Sequence, residues 1–197
     1  MNIGGMQKLS LCDYPGTPAI VIFLQGCNFD CPFCHNRKLL PYKSQCESLN
    51  ETDIFAYLKK RQDKIPGVVI SGGEPTVQRN LQSFIKEIKS LGYKTKLDTN
   101  GSNPDDICNL LSHELLDYVA MDIKAPWQKY DLLAGRKIDE SAIRESITCI
   151  AASGIPHHFR TTFYPAILSK EDLLEIKAFL PKTSQHVVQQ FVTPRSS

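Results

Sequence analysis

Three cysteines, Cys27, Cys31 and Cys34, stand in the run Gln25-Gly26-Cys27-Asn28-Phe29-Asp30-Cys31-Pro32-Phe33-Cys34-His35-Asn36, spaced C-x3-C-x2-C. Three thiolates on one short loop can hold three corners of a metal site. A structural zinc ordinarily takes four protein ligands, and so does a [4Fe–4S] cluster with its usual thiolates. This loop supplies three and has no close fourth cysteine, so one corner is left where a substrate or cofactor can bind. A zinc site completed by His35 or a distant cysteine is an alternative, as is a disulfide. Ordinary buried cysteines would not explain the spacing. Cys12, Cys46, Cys108 and Cys149 are scattered and read as plain thiols.

The loop needs a scaffold, and the chain supplies one as alternating strands and helices. Ala19–Gln25 is a continuous apolar, β-rich run, as in a strand buried on both faces, and it delivers Cys27 just past its end. A loop over Leu39–Asn50 leads to a helix near Thr52–Gln62. Gly67–Ser71 reads as a second strand. Val77, Leu81, Phe84, Ile85, Ile88 and Leu91 then recur at helical spacing, with Gly92 as the stop. Further strands are expected at Lys94–Leu97, Tyr118–Ile123, His158–Phe163 and His186–Phe191. Helices are expected from Pro104 to Ser112, over Glu140–Ser153 and near Lys170–Leu180, the last behind a Ser169/Asp172 capping box. The segment carrying Trp127 and Gly135 reads as a loop. This βα repetition predicts parallel strands with right-handed crossovers in one domain over 1–197. Six strands are too few for a closed eight-stranded barrel. An open arc fits the count, with a flat doubly wound sheet as the alternative.

In parallel α/β folds, chemistry gathers at the C-terminal ends of the strands. Here those ends carry Cys27, then Gly72-Gly73-Glu74, Asp98-Thr99-Asn100, Asp122 with Lys124, Arg160 with two threonines, and a pair of glutamines. Carboxylates, a lysine and an arginine converging beside a cysteine loop read as one site. Glycines allow close backbone approach to a ligand, and a carboxylate suits an ammonium group.

The cysteine spacing, with aromatic Phe33 ahead of the last cysteine, resembles the signature of the radical S-adenosylmethionine (SAM) enzymes, and the likeness covers nearly the whole chain. The Cys34-His35-Asn36 ending resembles the glycyl-radical-enzyme activating subgroup. The run Gln7-Lys8-Leu9-Ser10-Leu11-Cys12-Asp13-Tyr14-Pro15-Gly16 resembles the opening segment of anaerobic ribonucleoside-triphosphate reductase activating proteins. This resemblance implies an α/β fold, a partial (β/α)6 TIM-like barrel. It implies a [4Fe–4S] cluster on Cys27, Cys31 and Cys34, with SAM chelating the open iron. Gly72, Gly73 and Glu74 would hold the amino group of SAM and Lys124 its carboxylate. Phe33 would lie near the adenine, and Asn36 and Arg160 nearby. Asp98, Thr99 and Asp122 would take a monovalent cation. Reductive cleavage would give methionine and a 5′-deoxyadenosyl radical, which takes hydrogen from a backbone glycine of a partner glycyl radical enzyme. A flavodoxin or ferredoxin-type protein would be the reductant. Two alternatives stand beside this: a radical SAM enzyme acting on a small molecule, similar to 7-carboxy-7-deazaguanine synthase, and an Fe–S electron carrier whose fourth ligand is Cys12 or Cys46.

Composition narrows the field. The chain has 197 residues, 42% hydrophobic and 22% charged, as in ordinary globular proteins. A net charge of +2 gives no bulk electrostatic case for nucleic acid. No apolar run approaches 18 residues, so no membrane helix is expected. The start lacks a signal peptide. Seven cysteines, an odd count, point to a reducing cytoplasm.

Overall fold

The computed structural model describes residues 1–42 and 49–192. Cys46, a candidate fourth ligand, lies outside the described residues. The elements alternate: β1 (Ile3–Ser10), β2 (Ala19–Leu24), α1 (Glu51–Arg61), β3 (Gly67–Gly72), α2 (Leu81–Ser90), β4 (Lys94–Thr99), α3 (Pro104–Ser112), β5 (Tyr118–Asp122), α4 (Trp127–Ala134), α5 (Glu140–Ala152), β6 (His157–Phe163), α6 (Lys170–Phe179) and β7 (Gln185–Gln190). All seven strands form one sheet in the order of the chain. β2 to β7 run parallel, and β1 pairs antiparallel with β2.

The unbroken order decides between the two expected architectures. A doubly wound sheet reverses its order at a switch point; this sheet never does. Successive right-handed crossovers in one direction put the helices on one side and curl the strands around the other. The sheet has two ends, β1 and β7, and is not closed into a barrel.

Strand alternation divides the residues between the two sides. Outward, Ile20, Ile22, Leu24, Val68, Ile70, Leu97, Val119, Met121 and Phe159 join one large core with the helices. α2 contributes Leu81, Phe84, Ile85 and Ile88, all buried, each worth roughly 2 kcal/mol by area removed from water. Inward, a small apolar plug of Tyr14, Ala19, Val21 and Val69 fills the space at the strand starts, with Tyr14 packed edge-on against Tyr118. Above the plug the inner face becomes polar.

Four expectations change. β1 adds a seventh strand, built from a segment whose Gly4-Gly5 and Gln7-Lys8 mask any strand pattern. The segment read as a loop around Trp127 is α4, which buries Tyr130, Leu133 and Ala134 and ends on Gly135 at φ 71°. α2 starts at Leu81, after a short 3-10 turn over Pro75–Val77. Cys108 on α3 and Cys149 on α5, read as separate thiols, are joined, with Cα atoms 6.0 Å apart, because those helices pack side by side. The Ser169/Asp172 capping box is present as expected.

Candidate functional site

A cavity of about 330 Å³ opens at the C-terminal ends of the strands. It is lined by Cys27, Cys31, Phe33, Cys34, Asn36, Gly72, Gly73, Asp98, Thr99, Asp122, Lys124 and Arg160 among others. Twelve of the thirteen residues expected to form a site therefore do share one cavity wall. Glu74 is the exception.

The cysteine loop is fixed from three directions. Gly26 N and Cys27 N donate to Leu39 O (2.7 Å) and Leu40 O (3.1 Å). Glu74 N donates to Gly26 O at 2.8 Å, and a Cβ on Gly73 would meet that same oxygen at 2.0 Å. The glycine at 73 is thus required by the close approach of two backbone segments. At the middle of the loop, Asp30 N donates to Ala134 O (2.8 Å) at the end of α4. A Cβ on Gly135 would stand 1.9 Å from Asp30 O. Asn28 is clasped by Asn100 Nδ2 (2.9 Å) and itself donates to Ser102 Oγ (2.7 Å). Residue types alone pointed to neither Gly135 nor Asn28, because their partners are distant in the chain.

The three thiols are free. Burial pushes Cys27 up to about 11 and raises Cys31, with Lys124 opposing the shift. Buried thiols of this kind become thiolates when a metal supplies positive charge. His35, the proposed completing ligand of a zinc site, instead bonds Val192 O through Nε2 (2.7 Å) and stacks on Phe191. Among the described residues no three Cys, His, Asp or Glu side chains are grouped to hold a single metal ion. A cluster spreads its thiolates over several irons, so three separated thiols on one loop fit it better than a lone ion. Cys12 lies beside Ser10 and Asp13, near the start of β2, and Cys27 lies past its other end. A six-residue strand is roughly 20 Å long, which sets Cys12 at the far end of β2 from Cys27, while its neighbour Asp13 lines the same cavity.

The inner face of the sheet carries a row of alternating charge. Lys96 pairs with Asp98. Asp98 also accepts from Ser71 Oγ at 3.1 Å and lies 3.8 Å from Arg160 Nη1. Arg160 Nε donates to Asp122 Oδ1 at 2.6 Å, and Lys124 Nζ to Asp122 Oδ2 at 2.9 Å. Burial alone would raise Asp122, but Arg160 and Lys124 outweigh it and hold the carboxyl well below the usual range. Burial likewise works against charge on Lys124, and Asp122 keeps it protonated. Lys124 Nζ also stands 5.9 Å over the Phe33 ring, which leans on Tyr164. An ammonium with donors to spare beside a half-open aromatic pocket is suited to a ligand carboxylate.

Two sets of expected site residues meet other partners in the structure. Glu74 is wholly buried and turned away from the cavity. It accepts from Thr76 N (3.1 Å), Thr76 Oγ1 (2.6 Å), Thr99 Oγ1 (2.8 Å) and Asn100 N (2.6 Å). Its carboxylate is saturated by donors that tie β3 to β4. Asp98, Thr99 and Asp122, expected around a cation, line the cavity, and each already has a protein partner. The Thr99 hydroxyl points to Glu74 on the opposite side of the strand, and the two aspartates are already neutralised by Lys96, Arg160 and Lys124. Lys96 was legible by alternation, two residues before Asp98 on the same face. Asn36 lies at the rim, with Nδ2 3.4 Å from Gly72 O.

A family model described as the radical SAM superfamily matches residues 21–180. The chain belongs to the radical SAM superfamily. Membership brings that superfamily's two cofactors, a [4Fe–4S] cluster and SAM, and the free thiols and the cavity beside them fit both. A protein of Methanocaldococcus jannaschii with the provisional name glycyl-radical enzyme activating enzyme is 35% identical over 199 residues, covering 96% of this chain and 79% of its own. A 7-carboxy-7-deazaguanine synthase of Hyperthermus butylicus is 27% identical over 180 residues, covering 83% and 75%. Among solved structures, SuiB of Streptococcus suis bound to its precursor peptide SuiA superposes with a TM-score of 0.70 at 17% identity. That match covers 87% of this chain but only 39% of SuiB, and at that identity it speaks for the shared radical SAM fold alone. No helix among the described residues is long and apolar enough to cross a membrane.

Proposed function

We propose that this radical SAM protein is an activating enzyme that installs a glycyl radical on a partner protein, with anaerobic ribonucleoside-triphosphate reductase as the candidate partner. The observation that carries this reading is the 35% identity, across almost the entire chain, to the provisionally named activating enzyme. Cys27, Cys31 and Cys34 hold the cluster in this proposal. When bound, a cluster on these thiolates would supply one-electron reductive cleavage of SAM held in the cavity, with a flavodoxin or ferredoxin-type protein as the reductant. The protein binds, orients and excludes water. Lys124 meets the SAM carboxylate, Asp122 keeps that lysine charged, and Arg160 holds Asp122 in place. The backbone of Gly72 and Gly73 and the side chain of Asn36 face the amino end, and Phe33 forms the wall on the adenine side. The unpaired Cys27, Cys31 and Cys34 suit a reducing compartment such as the cytoplasm, and the Cys108–Cys149 bond counts against one.

The deazaguanine synthase relative favours a second reading, a small-molecule substrate in the same cavity. One experiment separates the two. The anaerobically reconstituted protein, reduced with dithionite, is incubated with SAM and the reductase, and electron paramagnetic resonance is recorded. A glycyl signal together with 5′-deoxyadenosine supports activation. Formation of 5′-deoxyadenosine without the signal turns the reading to a small molecule, and absence of both with full cluster loading overturns the enzyme reading.

A further inference from the structure

The sheet has two edges, and they are built differently. An open edge presents unpaired backbone groups and invites another strand, so proteins blunt such edges with charges, prolines, bulges or covering segments. The β1 edge is blunted in these ways. Its pairing with β2 shifts register twice, Leu49 N donates to Ile3 O (3.1 Å), Tyr57 OH donates to Lys8 O (3.4 Å), and Lys8 supplies a charge. Among the described residues, the β7 edge shows none of them. Gln185-His186-Val187-Val188-Gln189-Gln190 contains no formal charge and no proline. Its register with β6 runs one to one from His158↔Gln185 to Phe163↔Gln190 without a bulge. Among the described residues, nothing hydrogen-bonds to its outer backbone.

Which groups are free follows from the alternation. Phe191 N donates to Phe163 O at 3.1 Å. Residues of that parity therefore face β6, and His186, Val188 and Gln190 turn their N–H and C=O outward. Val188 is 40% exposed. The edge also borders the site. Gln189, paired with Thr162, lines the cavity, and Thr162 does too. Beyond β7 the chain leaves the edge: Phe191 stacks on His35 and Val192 O meets the His35 ring, so this continuation crosses to the cysteine loop.

We propose that the free edge of β7 is the docking strand for the substrate segment of the partner protein, which adds to the sheet as an extended strand and carries its target residue past the cavity mouth at Gln189. Backbone pairing supplies affinity without requiring a particular side chain. On such a strand the residue in register with Gln189 faces the cavity, and where that residue is glycine it presents a bare Cα–H. The proposal rests on the activating reading.

The test uses the full-length, cluster-loaded protein, with intact anaerobic ribonucleoside-triphosphate reductase and a synthetic peptide spanning its glycine segment as probes. Amide hydrogen exchange at Val188 and Gln190 is expected to slow about tenfold or more in the complex. Val188→Pro removes one outward N–H and no bond to β6. It is expected to weaken partner binding about tenfold, to cut glycyl radical yield in step, and to leave SAM cleavage and melting unchanged. Val188→Thr keeps the amide and should bind as the wild type does. Unprotected β7 amides in a complex that forms, or a Val188→Pro protein that binds normally, overturn the docking mode while the glycyl signal leaves activation standing. Protection of β7 without partner, in a protein that sediments as a dimer, assigns the edge to a second copy and also overturns it. A wild-type protein that cleaves SAM but neither binds nor activates the reductase overturns the activating reading, and the docking proposal falls with it.

Discussion

Asp98 and Thr99 are consecutive residues of β4, yet they belong to opposite sides of the sheet. Asp98 faces inward, into the charged row that ends at Lys124. Thr99 faces the helix side, where its hydroxyl helps to saturate Glu74. The inner face offers polar groups to a ligand. The outer face, at the same height, uses polar groups to knot strand ends together. Polar residues at strand ends therefore come in two kinds, and the side of the sheet decides which kind each one is.

The largest effect should come from the knot. Glu74→Ala leaves the donors of Thr76, Thr99 and Asn100 unpaired in a buried place and should cost roughly 3 kcal/mol in urea unfolding. SAM affinity, measured anaerobically by calorimetry on the protein that remains folded, should hardly change. Lost SAM binding with intact stability would move Glu74 to the ligand side and break the division.

Gly135→Ala should cost about 2 kcal/mol, because φ is 71° there and the added Cβ meets the Asp30 carbonyl. Since Asp30 lies between two of the cysteines, iron content per chain should fall as well. Normal iron loading would show that α4 does not set the loop.

On the ligand side, Lys124→Ala should keep its iron and bind SAM about tenfold more weakly, close to 1.4 kcal/mol. Loss of iron instead would give Lys124 a structural role and blur the distinction between the faces.

The smallest effect is a pH dependence. Asp122 is held below the usual carboxylate range by Arg160 and Lys124 against burial. Its stabilisation is therefore present above the unfolded-state value of about 3.9 and lost as pH falls from there through the folded value. The stability gap between wild type and Asp122→Asn should be constant from neutral pH to about pH 4 and narrow below it. A gap that widened on acidification would contradict the assigned pairing.

Much of this was legible in the residues. The cysteine loop, the six parallel strands and their polar ends follow from spacing and from apolar runs, which are local signals. β1 was not, because its glycines and polar residues gain strand character only from pairing with β2. α4 was hidden because the pattern of Trp127, Tyr130 and Leu133 is short and sits between loop-like residues. The hydrogen-bond partners of Glu74 were not legible, because a motif names a residue without saying where its side chain turns.

By itself, the sequence determined which groups could do chemistry and that they would gather at one rim, since thiol spacing and βα alternation are properties of neighbouring residues. Tertiary structure decided which of those groups are free to act. Burial and hydrogen-bond saturation depend on residues brought from elsewhere in the chain, as Asn100 is to Asn28, Gly135 to Asp30, and Thr99 to Glu74.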